Sequence, residues 1–351
     1  MKNVQRLAML ALIAVLLVVA GCSSGSTPPK QALQDAMKNM ENINSYSSQM
    51  SLGIDNLELP AGVSQNGMDV TSVVLGMLKG AKLNIKAVYA KEPQRTDMEL
   101  NLQLSGTTLT IPMILTAEKL YMKLPALPML ELPESAAGKF IELDLKALAE
   151  QQGTAAALDT ASAQKFAQEL GAIVLKHFDE KTYFSNVKAK DANLPDDVKA
   201  EQIIRFAIDD NNYKESVETI VNDMLPELLK VMASNESYLQ LIQKSKEDIE
   251  KMQTDLDANK ASMIDFLNEN VKVNELSITG AINKDKQLTY EAGKVNVEYT
   301  DKATGNVSKI NVHFDMKYSD LNKDPKFLYD VPTDAMRFED LMKQMKLPLG
   351  L

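Results

Sequence analysis

Across 351 residues the chain has no tryptophan, two histidines and one cysteine, and aromatic side chains make up only 5% of it. Each shortage closes an option. A single cysteine forms no disulfide within the chain, so stability rests on burial even in an oxidising compartment. Two histidines are too few for a His-based metal cluster; His177 falls in a helical pattern and His313 on the polar side of a strand, and both read as surface side chains. No glycine loop of phosphate-binding type is present, and no serine is set in a glycine elbow. The acidic pairs Asp196-Asp197 and Asp209-Asp210 lack the loop spacing of a calcium site and read as turns. These absences predict a protein that is not an enzyme and carries no metal and no cofactor. Positive charge is also short, with 38 Lys and Arg against 48 Asp and Glu, for a net charge of −10. An acidic surface argues against nucleic acid as a partner.

Methionine, in contrast, is plentiful at 19 residues. Its flexible thioether fills irregular gaps in a core and also lines surfaces that accept varied apolar partners.

The N-terminus holds the most specific signal. Lys2 and Arg6 precede an apolar run from Leu7 to Ala20, shorter than the ~20 apolar residues that cross a bilayer. A basic start, a short apolar core and a small-residue cleavage site describe an export signal. The run ends in Val19-Ala20-Gly21-Cys22, and Cys22 is the only cysteine. The pattern resembles the lipobox of bacterial lipoproteins. That resemblance implies cleavage between Gly21 and Cys22, a diacylglyceryl thioether on Cys22, and anchorage by acyl chains at the extracytoplasmic face of a cell membrane. Loss of residues 1–21 takes Lys2 and Arg6 with it and moves the net charge from −10 to −12. Membrane residence would then rest on the acyl chains, since the body has no basic patch to offer.

Residues 22–29 read as the lipidated cysteine and a flexible tether. From 30 to 335 the pattern predicts one α+β domain, with a helical middle at 140–269, followed by a C-terminal helix and tail at 336–351. Leu33, Ala36, Met37 and Met40 repeat at helical spacing behind Pro28-Pro29, and Tyr46, Ser48, Met50, Leu52 and Ile54 alternate as a strand. Residues 55–68 read as loop and 70–78 as a short helix. Between 81 and 124 four runs of period two follow one another, separated by short turns. Leu83, Ile85, Ala87 and Tyr89 make the first set, and Met98, Leu100, Leu102 and Leu104 the second. Leu109, Ile111, Met113 and Leu115 follow, then Leu120, Met122 and Leu124. This is an antiparallel meander with one covered and one wet face. Pro112 belongs at an edge or a bulge. The proline-spaced stretch 124–133 reads as a covered loop or as the apolar lip of a groove.

Further on, Pro226 should kink or divide a helix over 213–232, and a longer helix over 236–269 should break at Asp257–Lys260. Strands return at 276–282, 295–299 and 310–318, and Ala335–Met345 closes as a helix. One-sided sheets need cover, and the amphipathic helices can supply it. The order of elements resembles bacterial lipoproteins whose open, U-shaped antiparallel sheet, a half-barrel, wraps around helices, as in the LolA-like carriers and the mycobacterial LppX and LprG proteins. The run from Ala32 to Leu52 is also similar to uncharacterised lipoproteins of Gram-positive bacteria. The resemblance implies a lipid or other hydrophobic ligand held between sheet and helices. Leu83, Ile85, Met98, Leu100, Leu102, Met113, Leu115, Met122, Phe314 and Met316 are the candidate lining. The alternative is an envelope protein that docks other proteins through a fully packed body.

Overall fold

The computed structural model describes residues 27–60, 76, 78, 80–104, 106–125, 133, 135–147 and 160–345. The expected export signal, Cys22 and most of the segments 61–79 and 124–133 lie outside them. Among the described residues no helix is long and apolar enough to cross a membrane.

The elements are α1 (Pro29–Met40), β1 (Ser45–Glu58), β2 (Lys82–Ala90), β3 (Arg95–Leu104), β4 (Thr107–Thr116), β5 (Lys119–Lys123), β6 (Phe140–Asp144), α2 (Thr160–His177), α3 (Glu180–Tyr183) and β7 (Phe184–Asn186). They continue with β8 (Gln202–Ile208), α4 (Tyr213–Thr219), a π-helical turn (Ile220–Met224), α5 (Leu225–Ser234), α6 (Glu236–Leu241) and α7 (Lys246–Asn270). The chain then forms β9 (Val271–Ile282), β10 (Leu288–Asp301), β11 (Asn306–Ser319), β12 (Met336–Arg337) and α8 (Phe338–Gln344). Backbone hydrogen bonds order twelve strands as β12-β6-β5-β4-β3-β2-β1-β11-β10-β9-β8-β7. The two ends of that order do not pair, so the sheet is open. It is mostly antiparallel, with β12 and β6 as a parallel pair. The α+β class and the open antiparallel sheet match the expectation from sequence.

The chain divides into two compact units, with boundaries at residues 42/43, 52/53, 80/81, 158/159 and 315/316. The first contains the helices α1 to α7, the strands β7 to β10 and parts of β1 and β11, and its core is aromatic and aliphatic. Phe178, Phe206, Ile208, Val217, Val221, Leu256 and Leu276 are buried there. A smaller cluster of Ala192, Ile203, Ala281 and Tyr290 packs separately, with Val187, Leu194 and Val198 against it. In the second unit β2 to β6 form the meander, and α8 packs on β6 and β12.

Four sequence expectations need correction here. β1 continues to Glu58, so residues 55–58 are strand and not loop. The helical middle does not begin at 140, because Phe140–Asp144 is β6, paired along its whole length with β5. The long helix is unbroken through 257–260. Gln253 Nε2 donates to Asp257 at 3.0 Å, Asn259 Nδ2 donates to the Asp255 carbonyl at 2.7 Å, and Lys260 pairs with Asp257 at 3.0 Å. These polar side chains bond within the helix instead of ending it. The break lies earlier, where Gln243 takes a φ of 53° and Ser245 starts α7 with a capping box closed by Asp248. Last, the closing helix is shorter than 335–345, since Met336 and Arg337 are β12.

Two proline expectations hold. The helix around Pro226 is divided, and the π turn immediately before it carries a Leu225 N–H to Ile220 carbonyl bond, one residue wider than the α-helical step. Proline has no N–H to continue an α-helical ladder there. Pro112 pairs in register with Glu99 of β3, while the β4 ladder to β5 starts at Met113. The proline therefore stands where β4 is locally an edge.

Candidate functional site

Strand register decides which side chains share a face, because residues directly opposite on antiparallel neighbours point the same way. In the meander, Leu83 opposes Leu102, which opposes Leu109. The next line is Ile85, Leu100 and Ile111. Then come Ala87, Met98, Met113, Met122 and Ile141, followed by Tyr89, Thr96, Leu115, Leu120 and Leu143. One face of β2 to β6 is thus apolar almost throughout. Eight of the expected lining residues, Leu83, Ile85, Met98, Leu100, Leu102, Met113, Leu115 and Met122, are brought together on it.

This face is half-buried along its length, and one end of the opposite face is buried more deeply. All eight are half-buried, whereas Val88, Asp97, Ile114 and Tyr121, which share a line on the opposite face, are 4%, 0%, 0% and 6% exposed. At that end the expected wet face is covered by the extended segment Pro325–Val331, while Lys82, Lys86, Gln103, Thr108 and Thr110 on the same face are exposed. Tyr329 donates its backbone N–H to Asp97 at 3.0 Å and its hydroxyl to Glu99 at 2.8 Å, and its carbonyl accepts from Arg95. Arg95 also grips Asp97 with Nε at 2.7 Å and Nη2 at 3.0 Å, and its guanidinium lies 4.0 Å from the centre of the Phe327 ring. Phe140 meets Tyr329 edge-on at 6.2 Å. Sequence reasoning missed this network. Arg95-x-Asp97 on one strand face was the available signal, since a period of two places both on the same side.

The apolar face has built edges. Beside β6, Ile141 packs with Ala136 and Leu341, and Leu124, Met336 and Phe338 join them. At the β2 side, Tyr46 of β1 lies 5.1 Å from Tyr89 and 5.7 Å from Tyr318 of β11. Burial raises the Tyr46 hydroxyl above its ordinary value, so it stays a neutral donor. Met316 belongs to this unit, and its Sδ accepts from the Tyr318 hydroxyl at 3.2 Å. Phe314 falls in the other unit, where its ring lies over Gly293 of β10, a position at which any Cβ would collide with it.

Titratable groups elsewhere make structural pairs. His177 Nε2 and Lys176 Nζ both reach Glu227 at 2.6 Å, which holds that carboxyl below the usual range. His313 Nδ1 lies 2.8 Å from Asp55. Asp209 shapes its own turn, its carboxylate accepting from the Asn211 N–H at 2.8 Å. Among the described residues no group of three His, Cys, Asp or Glu is placed to hold a metal. A cleft of about 480 Å³ is lined by Lys139, Asp334, Met336, Arg337, Asp340 and Lys343. Of its charged side chains, Arg337 and Lys343 are already paired at 3.4 Å with Glu339 and Asp340.

Glu99 supplies a pH test of the cover by 325–331. Hydrogen bonds from Asn101 and Tyr329 hold its carboxyl below the usual range. A lowered carboxyl contributes stability that is complete above its unfolded pKa of ~4.3 and is lost as pH falls through the lower folded value. Tyr329→Phe should therefore destabilise the protein at pH 6, with the difference from wild type shrinking between about pH 5 and pH 3. Urea midpoints across that range measure it.

No family model matches the chain, and no curated protein matches its sequence. Among solved structures, one of lipovitellin, described by its lipid–protein interactions, is 8% identical over 82% of this chain, with a TM-score of 0.25. The chain spans 26% of the length of that lipovitellin chain. A β-barrel-like protein of the domain of unknown function DUF1849 from Brucella abortus is 8% identical, with 79% of this chain and 99% of that one covered and a TM-score of 0.17. Scores this low show neither a shared fold nor a shared ligand.

Proposed function

We propose that this protein is a lipoprotein anchored through Cys22 at the extracytoplasmic face of a cell membrane, of Gram-positive type, where it holds an apolar ligand such as a lipid chain. It works by binding, with no chemical step. The observation that carries the reading is the continuous apolar face of the meander. Its leucines, isoleucines and methionines are half-buried, and the strap 325–331 lies against one end of the opposite, polar face. Each Å² of such surface removed from water is worth about 25 cal/mol, so an apolar occupant of this face is favoured. Large apolar patches of this kind mark binding sites. Methionine suits the role because its thioether adapts to chains of differing shape.

The protein beginning at residue 22 and carrying Cys22→Ala should yield a bound lipid on organic extraction and in native mass spectrometry, and should take up fluorescent acyl-chain probes. Leu100→Asp in the apolar face should weaken probe uptake at least ~10-fold, because a buried carboxylate without a partner opposes an apolar ligand. Lys86→Gln on the opposite face should leave uptake unchanged. No extracted lipid together with no uptake would remove the carrier reading and favour protein docking. Metabolic labelling with palmitate tests the anchor separately. Wild type should be labelled and full-length Cys22→Ala should not.

A further inference from the structure

The methionines of the meander are not scattered. Every methionine of the strands β2 to β6 stands in one cross-strand line, Met98 opposite Met113 and Met113 opposite Met122. The lines on either side hold leucine, isoleucine, threonine and tyrosine instead. Ala87 begins the methionine line and Ile141 closes it, with Leu341 packed on Ile141. All three methionines are half-buried, so their side chains are neither locked in a core nor fully solvated.

We propose that Met98, Met113 and Met122 form a trigonal thioether site for a soft monovalent cation, Cu(I), with Ag(I) as its redox-inert equivalent. Neutral sulfur ligands select Cu(I) over the hard cations that prefer oxygen. Opposed residues on antiparallel neighbours have Cβ atoms about 4.5–5.5 Å apart. Three sulfurs bound at about 2.3 Å, the value for metal–thiolate bonds, stand about 4 Å from one another. Met113 occupies the centre, and the unbranched, three-bond side chains of its neighbours can lean toward it from both sides. Three thioethers leave the cation its single positive charge, which an apolar face tolerates only through close ligation. A net charge of −10 on the chain adds long-range attraction.

Leucine keeps volume and apolarity while removing the sulfur, so it tests the ligand atoms with little change in packing. Full-length protein in detergent, carrying Cys22→Ala so that no thiol competes, is titrated anaerobically with Cu(I) against a chromophoric chelator, and in parallel with Ag(I). One tight equivalent is expected, with X-ray absorption showing three sulfur neighbours. Met113→Leu should weaken it at least ten-fold, Met98→Leu and Met122→Leu should each weaken it, and Met263→Leu in the buried face of α7 should not. Acyl-probe uptake should be unchanged in Met263→Leu. No retained equivalent, a shell of nitrogen and oxygen only, or an affinity indifferent to Met113→Leu would overturn the proposal.

Discussion

Replacing Asp97 by alanine should cost about 3–5 kcal/mol, the loss typical of removing one partner from a buried ion pair. The carboxylate is fully buried, and the Arg95 side chain bonded to it is 14% exposed. Truncation strands that guanidinium in a place where water reaches it poorly. It also removes the acceptor of the Tyr329 N–H, the bond that ties the segment 325–331 to β3. Asp97→Asn should fall between wild type and alanine, since an amide oxygen still accepts but carries no charge. Lys323–Asp320 serves as the comparison. It is an exposed pair at 3.0 Å, with side chains 70% and 53% accessible, and its loss should stay within about 1 kcal/mol. Denaturant unfolding measures all three variants, and amide exchange across 325–331 should accelerate in Asp97→Ala even at low temperature. A loss below about 1 kcal/mol with no faster exchange would mean that Arg95 finds water or another partner, and that the strap is held by Phe327 and Tyr329 packing alone.

The meander was legible in the sequence to within a residue or two, because period-two alternation is a local property and the turns between its strands are short. What alternation does not carry is the identity of the cover. Leucine and methionine mark an apolar face, but the chain also covers one end of the other, using Phe327 and Tyr329 from a segment more than 200 residues away in sequence from Asp97. That segment has no periodicity of its own, since it is neither helix nor strand. The break between α6 and α7 was legible in principle. Ser245 followed by Asp248 is a capping pair, and its local chemistry outweighs the run Asp257-Ala258-Asn259-Lys260, whose polar side chains bond within the helix.

The candidate site was legible as a list of residues but not as an arrangement. Met98, Met113 and Met122 are fifteen and nine residues apart, spacings with no helical or strand meaning. They align only because the short connections between β3 and β4 and between β4 and β5 set the register of those strands. A shift of one residue in either hairpin would send a methionine to the opposite face and place a polar or charged side chain among the leucines.

In the first unit the largest expected effect belongs to Phe206→Ala, at about 3–5 kcal/mol for a buried phenylalanine. The ring is wholly buried and lies 5.1 Å from Phe178, 5.2 Å from Phe184 and 6.1 Å from Tyr183. Its neighbours come from different elements: Phe178 follows the end of α2, Tyr183 ends α3, and Phe184 begins β7, directly opposite Phe206 in register. The backbone of β8 is fixed on both sides by β7 and β9, so the cavity left by truncation cannot close by a strand shift. Phe206→Leu keeps much of the volume and should cost less than alanine, although it also removes the ring contacts to Phe178, Phe184 and Tyr183. Thermal and urea unfolding give the difference between the two variants. If leucine and alanine destabilise equally, aromatic geometry and not volume holds this end of the sheet to its helices.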